Sequence, residues 1–166
     1  MAKGGIISAI HQGSLAEELE LVPGDKIISI NEQELTDIID LSFALADEEI
    51  EMLIEHENGE QEIIAFEKDM DEELGAEFES AVFGKIRQCA NNCYFCFVDQ
   101  VAPNMRDSLY IKDDDYRLSF LYGNFVTMTN MGPRDLERIH RLHLSPLYIS
   151  VHTTNPKLRG EMLRTK

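Results

Sequence analysis

The chain has 166 residues, 43% of them apolar, which allows one medium or two small domains with packed cores and excludes wholesale disorder. Its 31 Asp and Glu against 15 Lys and Arg give a net charge of −16, which opposes binding to nucleic acid and to anionic membranes. The sequence has no apolar run of about 18 residues and no secretory signal, so we expect no membrane partner and a cytoplasmic location.

The acidic charge is concentrated in the first part of the chain. Residues 1–70 carry 18 Asp and Glu against 3 Lys, whereas residues 71–166 carry 13 Asp and Glu against 12 Lys and Arg. This break in composition predicts two domains. We expect the first at residues 1–69, an acidic linker at 70–79, and the second domain at 80–166.

The first domain alternates short strands and helices. GGIISAI predicts a strand, and a helix follows in which Ser14 and Glu17 have the spacing of a capping box. After the turn VPGD comes the strand KIISI, and then a second, amphipathic helix in DIIDLSFALAD. Two strands flank Asn58-Gly59, a strong hairpin signal. The order predicts a small α+β domain.

The segment GSLAEELELVPGDKIISINEQELTD resembles a bacterial PDZ domain. By this resemblance, a peptide or protein partner would bind in a groove between the strand Gly5–Ile10 and the helix Asp37–Ala46. Two alternatives remain open: a peptide-binding site, or a docking unit that binds no peptide. The matching positions are Ser14, Ala16, Leu21, Pro23, Gly24, Asp25, Ile27, Ile30 and Asn31.

All three cysteines of the chain lie within RQCANNCYFCFVDQ, as Cys89, Cys93 and Cys96. Four interpretations are open: buried structural thiols, a disulfide that leaves one thiol over, a zinc site, or an iron–sulfur cluster. Because structural zinc prefers four ligands, a zinc site would need a histidine as well. The candidates for this fourth ligand are His140, His143 and His152.

The pattern C-x3-C-x-aromatic-C resembles the signature of the radical S-adenosylmethionine (radical SAM) superfamily, with Phe95 at the aromatic position. The resemblance implies that Cys89, Cys93 and Cys96 bind a [4Fe-4S] cluster whose open iron binds S-adenosylmethionine. It further implies reductive cleavage of that cofactor to a 5′-deoxyadenosyl radical, with an electron donor such as ferredoxin or flavodoxin. The resemblance assigns no substrate and no catalytic residue.

The segments CYFCFVDQ, SLYIKDDDYRLSFLYGNFVTMTN and LSPLYISVHTTNPKLR resemble one branch of bacterial radical SAM proteins. That branch has a PDZ-like N-terminus, a radical SAM core and a C-terminal domain of unknown function (DUF512). The coarse pattern agrees with the start of a β/α barrel. It predicts strands at 80–88, 124–130 and 146–154 and a helix at 132–144, with strand, helix and strand forming a parallel unit.

Further polar residues of the second domain are candidates for the site. The superfamily usually has Gly-Gly-Glu after the strand that binds the cofactor's amino group, where this chain has Thr-Asn-Met at 129–131. The resemblance therefore makes Asn130 a cofactor-binding candidate. His152 points into the predicted barrel as a cofactor or substrate group, or packs there as a hydrogen-bonded histidine. The run Asp113-Asp114-Asp115 forms metal or substrate ligands, or else a solvated loop or a set of helix caps. His140 and His143 are expected on the surface.

The predicted fold is therefore an α+β PDZ-like N-terminal domain followed by the first β/α units of an incomplete radical SAM (β/α) barrel. Only 70 residues follow Cys96, whereas a barrel of this type needs on the order of 200 residues. We therefore expect the N-terminal portion of a longer enzyme that is inactive alone. The second hypothesis is a PDZ-type interaction module with a structural zinc or an inactive cluster as an appendix.

Overall fold

A computed structural model describes residues 4–164 of the chain. Its backbone divides into a first unit that ends at Lys85 and a second unit that begins at Ile86. This division lies after the predicted linker at 70–79. Within the described part, no helix is long and apolar enough to cross a membrane.

The first unit is built around an antiparallel sheet with two short helices, in the order β, α, β, β, α, β, β, β. The strands follow the order β5-β4-β2-β1-β6, and β3 pairs with β2. The bounds are β1 Gly5–Ile10, α1 Leu15–Glu18, β2 Lys26–Ile30, β3 Gln33–Glu34, α2 Ile38–Ala44, β4 Glu49–Glu55, β5 Gln61–Glu67 and β6 Ala76–Phe78.

Local signals explain most of these elements. Ser14 caps α1 by accepting from the Glu17 N–H, and Asp37 caps α2 by accepting from two backbone N–H groups. The predicted hairpin is confirmed as β4 and β5, with Gly59 at φ +87 in the turn. Alternate residues of β4 are buried, so one face of this strand packs into the core. The core is built mainly from isoleucine and leucine of both helices and the inner strands.

The strand β6 corrects the predicted peptide groove. It pairs antiparallel with β1, matching Ile7 to Phe78 and Ile10 to Ala76, so the edge of β1 that was assigned to a peptide is already paired. Leu74 and Phe83 on either side of β6 are buried in the same core. The acidic segment that was predicted to be a linker therefore completes the first sheet.

The second unit has three helices and a pair of short parallel strands. The predicted strand at 80–88 is wrong, because residues 80–88 form only isolated bridges. The predicted strands at 124–130 and 146–154 are present, but each is only two residues long. The two strands do pair in parallel, as expected, matching Phe125 to Tyr148 and Val126 to Ile149. The bounds are α3 Tyr116–Tyr122, β7 Phe125–Val126, α4 Pro133–Arg141, β8 Tyr148–Ile149 and α5 Pro156–Leu163, with a 3₁₀ turn at Asp107–Tyr110.

Candidate functional site

The three cysteines of the second unit line a single cavity. Cys89, Cys93 and Cys96 are half-buried free thiols on the irregular segment 89–96, which we call the cysteine loop. The cavity has a volume of about 640 Å³, and Phe95 and His152 also line it. The structure therefore brings together five of the six residues that the sequence proposed for the site.

Backbone hydrogen bonds hold the cysteine loop at its first residue and at its middle. The Cys89 N–H donates to the Lys112 carbonyl at 2.8 Å. In the middle of the loop, the Asn92 N–H donates to the carbonyl of Leu163, the last residue of α5, at 3.1 Å. The Arg164 guanidinium lies 3.9 Å from the centre of the Tyr94 ring, close enough for a cation–π contact. The loop is thus fixed by neighbours on two sides, although it contains no helix or strand.

The thiols lie in surroundings that disfavour the charged thiolate. Burial raises the pKa of Cys89, against hydrogen bonds from the backbone and side chain of Asn91 that lower it. Burial also raises the pKa of Cys93, and the neighbouring Cys89 and Cys96 sulfurs raise it further. A bound cation would reverse this balance, because positive charge stabilises thiolate ligands.

Lys112 brings a positive charge to the same cavity. Its ammonium nitrogen lies 2.6 Å from Asp99 Oδ2, and this hydrogen bond is the main cause that raises the pKa of Lys112. The Cys96 and Cys89 sulfurs raise this pKa further, and Lys112 lines the same cavity as the three cysteines. Lys112 was not predicted from the sequence, since its distance from the cysteines along the chain gave no signal.

Phe95 and His152 form an aromatic wall of the cavity, with ring centres 4.9 Å apart. His152 Nδ1 is buried without a hydrogen-bond partner among the described residues, and so is Asn130 Oδ1. Asn130 does not line the cavity. Its amide nitrogen donates to the Asp114 carbonyl at 3.0 Å, which ties the residue to the segment before α3.

The acidic run is held by hydrogen bonds within the unit. Asp113 accepts from Asn124, Asp114 accepts from Thr127, and Asp115 caps α3 and pairs with Arg117. Asp114 and Asp115 are 2% and 0% exposed, so the expected solvated loop is wrong, whereas the expected cap is confirmed at Asp115.

Arg87 fixes the backbone two residues before Cys89. Its guanidinium donates to both carboxylate oxygens of Asp135 in α4, at 2.7 and 2.5 Å, and its backbone N–H donates to Asp115 at 3.0 Å. Sequence reasoning missed this pairing because the partners are 48 positions apart. His140 and His143 are exposed, as predicted.

Within residues 4–164, no three His, Cys, Asp or Glu side chains converge closely enough to hold a metal ion. The cysteines share a cavity without meeting at one point.

Two protein-family models match the chain. A PDZ domain model matches residues 6–56, and a radical SAM-like domain model matches residues 68–166, more than half of the chain. The second match begins within the first unit, ahead of β6. A comparison with the curated proteins finds no match. The chain therefore belongs to the radical SAM-like domain family and carries a PDZ domain ahead of the matched region.

Proposed function

We propose that this chain is the N-terminal part of a radical SAM iron–sulfur protein, in which Cys89, Cys93 and Cys96 hold a [4Fe-4S] cluster. The observation that carries the proposal is that all three thiols of the chain line one cavity. If bound, such a cluster would offer one iron without a thiolate ligand to S-adenosylmethionine. It would also supply the electron for reductive cleavage of this cofactor to methionine and a 5′-deoxyadenosyl radical.

The donor chemistry of the cavity fits this group. Thiolates are the soft ligands that iron–sulfur clusters require, and three of them leave one iron open. A cluster of four irons also spreads its ligands further apart than one ion does, so a shared cavity suits it better than side chains that meet at a point. The unpaired Nδ1 of His152 is a polar atom in the same wall that a bound group would satisfy.

The chain's own residues would hold and shield the cofactors. Phe95 and His152 lie against each other beside the cysteines and form one side of the cavity. We keep His152 as a cofactor-binding residue together with Phe95. Asn130 stays a cofactor-binding candidate through its unpaired Oδ1, although it lies outside the cavity lining. Lys112 places a positive charge in the cavity that the three thiols line.

We infer that β7, α4, β8 and α5 are consecutive β/α units of an incomplete radical SAM barrel. Parallel strands are normally buried on both faces by the rest of their fold. Here Phe125 on β7 is 70% exposed, Tyr148 and Ile149 on β8 are each 43% exposed, and Val151 just beyond β8 is 63% exposed. Apolar strands with this much exposure fit a sheet that further strands would cover.

We propose two partners besides the cofactor. An electron donor such as ferredoxin or flavodoxin would reduce the cluster, and a peptide or protein would bind the PDZ domain. The feature that supports the second is β6, which is the last strand of its sheet and so offers an edge for an added strand. A docking surface that takes no peptide is the alternative. We also propose a cytoplasmic location, where reducing conditions keep the three thiols available.

Single Cys→Ala variants test the cluster proposal. The full chain and the three variants would be reconstituted with iron and sulfide without oxygen, and bound iron and acid-labile sulfide would be counted. We expect each variant to lose most of its bound iron, since the chain has no other cysteine to replace the missing ligand. A variant that binds iron and sulfide as well as the unmodified chain would overturn the assignment. Zinc without sulfide would favour the interaction module with a structural zinc.

A further inference from the structure

Buried and half-buried residues next to the cysteine loop form a chain of hydrogen bonds that ends on Asn91. We propose that Asp114 positions the cysteine loop through Thr127 and Asn91, so that Cys89 and Cys93 keep a fixed separation. This inference rests on the proposed function of these cysteines as cluster ligands. It assigns a positioning role to one residue of the acidic run, in place of the ligand role considered from the sequence.

The chain of bonds begins at the Asp114 carboxylate, which is 2% exposed. Its Oδ1 accepts from the Thr127 backbone N–H at 2.6 Å, and its Oδ2 accepts from the Thr127 hydroxyl at 2.6 Å. Both bonds run from Thr127 to the carboxylate oxygens, so the Thr127 hydroxyl points its hydrogen at Asp114. The lone pairs of Thr127 Oγ1 are then left to accept from another donor.

Asn91 uses both ends of its side-chain amide in this arrangement. Its nitrogen donates to Thr127 Oγ1 at 3.1 Å, and its Oδ1 accepts from the Thr129 hydroxyl at 3.0 Å. Asn91 is 8% exposed and lies halfway between Cys89 and Cys93 along the chain. The hydroxyls of Thr127 and Thr129, which follow β7, therefore hold both ends of the Asn91 side-chain amide. We call Asn91, Asp114, Thr127 and Thr129 the clamp.

Two further bonds to Asp114 use its backbone. The Asp114 N–H donates to the Arg87 carbonyl at 2.9 Å, and its carbonyl accepts from Asn130 at 3.0 Å. Side-chain substitutions in the clamp leave these backbone bonds in place. Such substitutions can therefore disturb the position of the cysteine loop without disturbing the backbone of the segment before α3.

The test compares Thr127→Val, which keeps the shape but removes the hydroxyl, with Thr127→Ser, which keeps the hydroxyl. Asn91→Ala removes the other partner, and Thr153→Val is a matched control. The Thr153 hydroxyl accepts only a local bond from the Asn155 N–H at 3.3 Å among the bonds described for it. All proteins would be the full chain.

The first readout is hydrogen exchange of the cysteine-loop amides in reduced protein without iron. We expect Thr127→Val and Asn91→Ala to exchange on the order of tenfold faster at 89–96, the factor given by losing one hydrogen bond of typical strength. Thr127→Ser and Thr153→Val should match the unmodified chain. Unchanged exchange in a folded Thr127→Val protein and in Asn91→Ala would overturn the proposal.

The second readout is the EPR spectrum of the reduced, reconstituted protein and the half-life of its cluster in the presence of a chelator. We expect a broadened spectrum and a half-life shortened severalfold in Thr127→Val, with Thr127→Ser restoring both. A spectrum and half-life unchanged in Thr127→Val would contradict the role. If the unmodified chain binds no cluster, the proposed function fails, whereas hydrogen exchange still decides whether the clamp holds the loop. If Thr127→Val does not fold, Asn91→Ala provides the same test.

Discussion

Replacement of Asp115 by alanine should strongly destabilise the second unit. The Asp115 carboxylate is 0% exposed and accepts from Arg117 Nε at 2.8 Å and Nη2 at 2.6 Å. It also caps α3 through the Arg117 N–H at 3.1 Å and holds the Arg87 N–H at 3.0 Å. The substitution thus removes a helix cap and leaves a buried guanidinium without this carboxylate.

The loss of the helix cap and the loss of the ion pair together set the expected decrease in the free energy of unfolding. A lost N-cap costs about 1 kcal/mol, and removing one partner of a buried ion pair costs about 3–5 kcal/mol. Because the same carboxylate makes both sets of bonds, the terms overlap, and we expect about 4 kcal/mol in total. A unit of this size has a stability of roughly 4–12 kcal/mol, so the loss is a large part of the whole.

Tyrosine fluorescence during urea unfolding measures this loss, since all five tyrosines lie after residue 93 and the chain has no tryptophan. The matched control is Asp113→Ala in the same acidic run. Asp113 is only half-buried and accepts from Asn124 at 2.8 Å, so its loss should cost about 1 kcal/mol. Equal urea midpoints for the two variants would refute the reasoning.

The pH dependence of the free energy of unfolding gives an independent test of the role of Asp115. Burial raises the pKa of this carboxyl, but the hydrogen bonds from Arg117 and the Arg87 N–H outweigh it and lower the pKa overall. A carboxyl with a depressed pKa stabilises the fold above its unfolded pKa and loses that contribution as the pH falls through the folded value. The difference in free energy of unfolding between the unmodified chain and Asp115→Ala should therefore be largest near neutral pH and decrease in acid.

Three predictions concern the first unit and can be followed by hydrogen exchange of β4 and β5. Hydrogen bonds that the His56 ring donates to Asp25 and then to Glu62 raise the pKa of His56. The contribution of His56 to stability is therefore full below about pH 6.5 and lost as the pH rises through the folded pKa. His56→Gln should abolish this pH dependence, and its persistence would exclude His56 as the cause. Gly75→Ala should destabilise the unit by more than about 1 kcal/mol, because φ is +72 and an added Cβ would collide with Ser14. The control Gly59→Ala should cost less, because no atom lies near the added Cβ although φ is +87. Phe83→Ala should cost about 3–5 kcal/mol, since the ring is 4% exposed in the core, and a neutral result would place residues after β6 outside the first unit.

Local patterns predicted most of the first unit. Capping residues such as Ser14, the Asn58-Gly59 turn and the alternation along β4 act over a few residues, so a single sequence displays them. β6 escaped prediction because its pairing with β1 joins residues that are about 70 positions apart, and its acidic surroundings look like a linker. Long-range pairing of this kind leaves no local signal.

The site was predictable as a set of cysteines and less so as a structure. The spacing of Cys89, Cys93 and Cys96 identified the cysteine loop, and the aromatic position pointed to Phe95. Asn91 lies between two cysteines in the sequence, but its role depends on a hydrogen bond to Thr127, which is 36 positions away. The hydrogen bonds of the acidic run likewise depend on partners brought near by folding, so a charge pattern alone could not separate ligands from structural groups.

We propose above that the three thiols hold a four-iron cluster with an open iron. Anaerobic reconstitution of the full chain with iron and sulfide, followed by iron, sulfide and zinc analysis and EPR of the reduced protein with and without S-adenosylmethionine, tests it most directly. We expect about four irons and four sulfides per chain, as for a [4Fe-4S] cluster, and a spectrum that changes when the cofactor is added. Zinc without sulfide, or no bound metal, would contradict it.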